Sequence, residues 1–231
     1  MTDALDPGCR PKLVIFDCDG VLIDSEGPCI REIAAQVRQA GIAISDDEAL
    51  SMFPGMALGD VQKQLEARGG LSLGSDWVAR MQARFVTLMG EQAEPIEGAG
   101  RVLASLAEAG LPFRVGSNSS IVEMDAKFGR VGFDRYIPRE RVHSARELGR
   151  PKPDPHVYLH AAAQEGVKPE DCVVIEDSDP GVQAAHDAGM ACILLRESGP
   201  MPPRQWPGLI RVRHLDEVLP LLVGTRRSSN A

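Results

Sequence analysis

A chain of 231 residues, 43% of them hydrophobic, has the size and composition of one large globular domain, or of one core carrying a smaller insertion, and excludes a disordered or fibrous chain. Its formal charge of -8 argues against a broad nucleic-acid or anionic-membrane surface. It leaves room for a small anionic substrate, because a few local cations and a metal reverse the field inside a cleft.

Residues 1–12 contain no apolar stretch of the export-signal kind, and no run of about 18 apolar residues follows, so a cytoplasmic protein without a membrane partner is expected. The five cysteines, Cys9, Cys18, Cys29, Cys172 and Cys192, form no C-x-x-C pair, which points to reduced thiols. The first strand is expected at Leu13–Phe16, an apolar run that leads directly into Asp17-Cys18-Asp19-Gly20. If the chain turns after Phe16, both carboxylates lean into one pocket while Cys18 points away, and Gly20 permits the sharp turn. Two carboxylates so placed can divide the work of nucleophile and proton carrier.

About 95 residues separate this run from the next strand at Phe113–Gly116, far more than one crossover requires, so a second structural unit is expected between them. It reads as helical. Residues 28–40 place Ile30, Ile33, Ala34 and Val37 on one face and end at Gly41, and 60–68 and 76–89 repeat the pattern. Gly69-Gly70 and Gly74 mark a loop, and residues 94–98 mark the return to the core.

The second strand runs into Gly116-Ser117-Asn118-Ser119-Ser120, where hydroxyls and backbone N-H groups at a helix start can hold an anion. Lys152 lies between Pro151 and Pro153, which stiffen its loop. Cys172–Ile175 leads into Glu176-Asp177-Ser178, acids that with Asp17 and Asp19 make the all-oxygen set magnesium prefers. Further strands are expected at Ala191–Leu195 and Leu209–Val212. Strands alternating with helices imply an α/β fold with a parallel sheet, whose ligand binds at the carboxyl ends of the strands. His143, His156, His160, His186 and His214 fall on helices and loops away from these motifs and receive no role.

Four motifs in this order, Phe16-Asp17-Cys18-Asp19-Gly20, Gly116-Ser117-Asn118, Arg150-Pro151-Lys152-Pro153 and Ile175-Glu176-Asp177-Ser178, resemble those of the haloacid dehalogenase superfamily of phosphohydrolases, in particular its capped, β-phosphoglucomutase-like subfamily. The resemblance spans Leu13 to about Leu195. It implies a Rossmann-like core of residues 1–26 and 94–231 with an inserted α-helical cap of residues 27–93. It further implies Asp17 as nucleophile, Asp19 as general acid and base, and Ser117, Asn118 and Lys152 as phosphate binders. Asp17, Asp177 and the carbonyl of Asp19 would hold Mg2+, with Glu176 behind them and Gly55, Met56 and Leu58 as the cap's substrate loop.

These residue types meet an electrostatic demand. A carboxylate about 4 Å from a phosphate dianion meets roughly 8 kcal/mol of repulsion at an effective dielectric near 20, so a metal and Lys152 must cancel it. The charge of Asp17 is expected to raise the pKa of Asp19, while metal and Lys152 keep Asp17 ionised. Asp19 and Asp177 argue against a dehalogenase, and retention of the whole set argues against a non-catalytic phosphate-binding module. The alternative is a sugar phosphomutase similar to β-phosphoglucomutase. Those relatives carry a histidine where this chain has Cys29 and an arginine near Leu58, although a cation from elsewhere in the cap, such as Lys63 or Arg80, offers a replacement. Magnesium-dependent hydrolysis of a small sugar or polyol phosphate by a monomer is therefore expected.

Overall fold

The computed structural model describes residues 4–5, 9–53, 56 and 58–223. Strand β1 (Leu13–Phe16) is buried along its length. Val14 and Phe16 pack with Phe113, Val115, Val173 and Ile175 on one face of the sheet, and Leu13 and Ile15 pack with Cys172 and Val174 on the other. Burial on both faces is why an unbroken apolar run, and no alternation, encodes this strand.

After the turn at Gly20, the short strand β2 (Ile23–Asp24) leads into four helices: α1 (Glu26–Gln39), α2 (Asp46–Met52), α3 (Leu58–Gly69) and α4 (Trp77–Gln92). Strand β3 (Glu94–Pro95) then pairs antiparallel with β2, so the outgoing and returning connections are tied together at Ile23↔Pro95 and Asp24↔Glu94. The four helices have an apolar cluster of their own, containing Ile30, Ile33, Val37, Val61, Leu65, Trp77 and Met81. Helix α1 buries the face expected for it, Ile30, Ile33, Ala34 and Val37. Helix α2 is additional to the sequence reading; seven residues are too few to display a period, and its signal is the cap of Ser45, whose hydroxyl accepts from the Glu48 N-H at 3.1 Å.

The core continues through α5 (Ala99–Glu108), β4 (Phe113–Ser117), α6 (Ile121–Val131), β5 (Val142–Ser144), α7 (His156–Glu165) and β6 (Cys172–Glu176). It ends with α8 (Asp179–Asp187), β7 (Ala191–Leu195), β8 (Leu209–Val212) and α9 (Val218–Val223). The six long-range strands form one parallel sheet in the order β5-β4-β1-β6-β7-β8. The five expected core strands are present, and β5 is the sixth; its three residues gave no apolar run. His143 therefore lies on a buried strand, not on a helix or loop as the sequence suggested.

The chain leaves β1 toward β4 and β5 on one side and places β6, β7 and β8 on the other, so the strand order reverses at β1. A crevice opens at such a reversal, beyond the carboxyl ends of the strands. Phe16 is in register with Val115 on β4 and Ile175 on β6, which brings the residues following all three strands to that edge. Among the described residues no helix is long and apolar enough to cross a membrane.

Candidate active site

Asp17 follows β1 directly, and its N-H still donates to the Ile175 carbonyl at 2.9 Å, as if the strand continued. The chain then turns: the N-H groups of Leu22 and Ile23 both donate to the Cys18 carbonyl, and Gly20 adopts a φ of 75°. Gly20 also lies against a carboxylate. A Cβ at this position would sit 2.0 Å from Asp177 Oδ2, so only glycine lets the β1 turn and the end of β6 approach this closely. Cys18 points into the core and is fully buried.

Lys152 carries its charge into this edge. Its Nζ donates to Asp17 Oδ1 and to Glu176 Oε1, each at 2.7 Å, and its N-H donates to Asn118 Oδ1 at 2.8 Å. Asn118 thus fixes the lysine's loop with its side-chain oxygen. Glu176 is wholly enclosed and fully satisfied: it also accepts from the Tyr158 hydroxyl at 2.6 Å, the N-H groups of Asp177 and Ser178, and Ser178 Oγ. The first turn of α8 makes room for it, since a Cβ at Gly181 would lie 1.8 Å from Glu176 Oε1. Glu176 therefore acts as a buried anchor that aims the Lys152 ammonium at Asp17.

Asp17, Glu176 and Asp177 each place a carboxylate oxygen within 4.8 Å of the others. Among the described residues Lys152 is the one side-chain cation paired within this trio, through Asp17 and Glu176, and the shortage of positive charge registers in their proton affinities. Burial pushes Asp17 up to about 6 against the pull of Lys152, with the charges of Glu176 and Asp19 adding to the rise. Burial and the charges of Glu176 and Asp17 push Asp177 up to about 8. Burial would raise Glu176 too, but Lys152 outweighs it and holds this carboxyl below its ordinary range. Carboxylates gathered in this way, and reluctant to ionise together, suit a hard divalent cation.

Asp19 faces elsewhere. Its Oδ1 accepts from Lys127 Nζ at 2.6 Å and from the Ser25 hydroxyl, and its Oδ2 accepts from Ser119 Oγ at 2.6 Å. Burial would raise its pKa, yet the charge of Lys127 and bonds from Lys127, Ser119 and Ser25 leave it below the ordinary value. This reverses the sequence expectation for Asp19. The reason is a second buried lysine, Lys127, whose charge outweighs that of Asp17. Ser117 closes the edge at the end of β4, buried, with its Oγ accepting from the Ser119 N-H at 3.2 Å. Ser120 caps α6 through a bond from the Glu123 N-H.

The structure thus gathers Asp17, Asp19, Ser117, Asn118, Lys152, Glu176 and Asp177 along one sheet edge. Met56 and Leu58 are packed against the apolar cluster of the four-helix insertion, and Gly55 lies outside the described residues. Lys127, Ser25 and Tyr158 escaped the sequence reading, and Ser119, expected among the anion-holding hydroxyls, instead donates to Asp19. For Lys127 a signal exists: it shares the inward face of α6 with Met124 and Phe128, a lone cation where an apolar residue is due.

The sequence model of one protein family, described as haloacid dehalogenase-like hydrolase, matches residues 11–189. The chain is 30% identical over 210 residues to 6-phosphogluconate phosphatase of Escherichia coli, covering 90% of this chain and 93% of that protein. It is 32% identical over 183 residues to hexitol phosphatase B of the same organism, covering 78% and 82%. Among solved structures it is similar to a HAD family hydrolase of Deinococcus radiodurans with bound phosphate and sodium, at 29% identity and a TM-score of 0.72, covering 92% and 95% of the two chains.

Proposed function

The chain belongs to the haloacid dehalogenase-like hydrolases, and on that premise we propose that it is a magnesium-dependent phosphatase of small sugar or polyol phosphates, with Asp17 as nucleophile. The observation that carries this reading is the bond from Lys152 to Asp17 inside a trio of carboxylates, at the point where the strand order reverses. The curated relatives act, by their names, on 6-phosphogluconate and hexitol phosphates. Residues 27–93, with an apolar cluster of their own, serve as the cap that selects the leaving group.

Asp17 and Asp177, with Glu176 behind them on Lys152, fit a magnesium ion that these two carboxylates would hold together with the backbone carbonyl of Asp19; when bound, the ion would supply charge neutralisation at the transferring phosphoryl group. The chain's own residues do the rest. Lys152 holds Asp17 in place and offers its remaining N-H to a phosphoryl oxygen; Ser117 and Asn118 stand ready beside it. Asp17 attacks phosphorus in line as the ester P–O bond breaks, and Asp19, once protonated, delivers its proton to the departing alkoxide. Ionised again, Asp19 takes a proton from the water that attacks the aspartyl phosphate, releasing phosphate and restoring Asp17. The environment around Asp19, rich in donors, favours the carboxylate that this second step needs.

Transfer to a second sugar hydroxyl, as in a mutase, is less well supported. Lys63 pairs with Asp60 and Arg80 pairs with Asp76, each on or beside its own helix, so neither of the two cations is held toward the sheet edge. Phosphate release from a panel containing 6-phosphogluconate, hexitol phosphates and hexose 1-phosphates, with and without magnesium, tests the proposal. Magnesium-dependent release with no sugar isomerisation is expected; isomerisation faster than release would favour the mutase.

A further inference from the structure

Lys127 is entirely enclosed, and two carboxylates hold it: Asp19 Oδ1 and Glu123 Oε1, both 2.6 Å from its Nζ. Glu123 lies one helical turn before it on α6, and Ser119 Oγ, which donates to Asp19 Oδ2, lies 3.3 Å from the same ammonium. A buried lysine is costly unless it is paired, and a pair of this kind is weak evidence for stability, since apolar replacements often serve as well. Its presence at this place calls for another explanation. Asp19 sits on a tight turn, where its side chain would otherwise rotate freely, and a proton carrier must stay within hydrogen-bond reach of the atom it serves.

We propose that Lys127 is a positioning residue for Asp19: anchored by Glu123, its ammonium fixes the aspartate's Oδ1 and so sets the direction of the oxygen that carries protons to and from the ester. Ser119 and Ser25 complete the cradle, but both are rotatable hydroxyls. Lys127 alone is fixed at both ends, by the helix that bears it and by Glu123. Helix α6 also packs against α4 of the insertion, so the residue that aims Asp19 sits on the element linking core to insertion. The inference rests on the hydrolytic reading above.

Two variants test it, Lys127→Met and the neutral pair Lys127→Met with Glu123→Gln, the second leaving no unpaired buried carboxylate at position 123. Phosphorylation of the enzyme is followed in single-turnover experiments with an alkyl phosphate and with 4-nitrophenyl phosphate. The expected result is a loss on the order of 100-fold with the alkyl ester and less than about tenfold with the aryl ester, because the phenolate departs with little help from an acid. Crystal structures of the variants should show the Asp19 carboxylate turned away from Ser119. Equal losses on both esters, or wild-type rates with Asp19 unmoved, would overturn the placement of Lys127. A wild-type protein that releases no phosphate would instead overturn the hydrolytic reading, while the orientation of Asp19 in the variants would still decide this one.

Discussion

The ammonium of Lys152 lies 2.7 Å from the Oδ1 of Asp17, although 135 positions separate the two in the chain. The parallel register of β1 with β6, the fixed Lys152 loop and the buried Glu176 together produce this contact. Replacing Lys152 with methionine removes the partner of two enclosed carboxylates at once. The expected outcome is loss of phosphatase activity together with a drop of about 3–5 kcal/mol in stability, the range for breaking a buried pair, read from urea unfolding of the purified variant.

Magnesium should bind between Asp17 and Asp177 and stabilise the fold. At a hundredfold excess over its dissociation constant the gain is about 2.7 kcal/mol, visible as a rise in the thermal midpoint. In Asp177→Asn the rise should vanish. The variant without metal should melt above the wild type without metal, because the substitution removes a carboxylate that burial and the charges of Glu176 and Asp17 oppose.

Gly20→Ala tests the close approach of the β1 turn to β6. The φ of 75° disfavours any side chain, and a Cβ there would collide with Asp177 Oδ2 at 2.0 Å. Asp177 must move, so magnesium affinity should fall by at least about tenfold, an expectation following from the misplacement of one ligand. Isothermal titration with magnesium measures it.

What the sequence disclosed and what it withheld divide along physical lines. The strands that carry motifs were legible because Leu13–Phe16 and Cys172–Ile175 are buried on both faces and read as apolar runs, each ending in acids. The two lysines differ instructively. Lys152 announced itself through flanking prolines, whereas Lys127 looks like any surface lysine until its helix is oriented and its neighbours Met124 and Phe128 are found in the core. Tyr158 was hidden because its hydroxyl reaches Glu176 from a helix that carries no motif of its own. Strand β5 and helix α2 were too short for any periodicity to appear.

Acid should destabilise the core through His143, which lies on β5. Burial, the charge of Arg114 and that of His160 lower its pKa to about 4. The unfolded chain takes up this proton below about 6.5, the folded chain only near 4, so protonation favours unfolding as pH falls through that window. His143→Gln should flatten the decline in thermal midpoint between pH 7 and pH 5. An unchanged slope would assign the acid sensitivity to other groups.

The central claim is that Asp17 itself accepts the phosphoryl group, and chemical trapping tests it most directly. Borohydride reduces an acyl phosphate to an alcohol, so an enzyme quenched during turnover of a sugar phosphate with magnesium should yield a peptide carrying homoserine at position 17 on mass spectrometry. Folded Asp17→Asn protein should yield none and release no phosphate. Steady phosphate release by the wild type with residue 17 unmodified, or turnover retained by Asp17→Asn, would contradict the account.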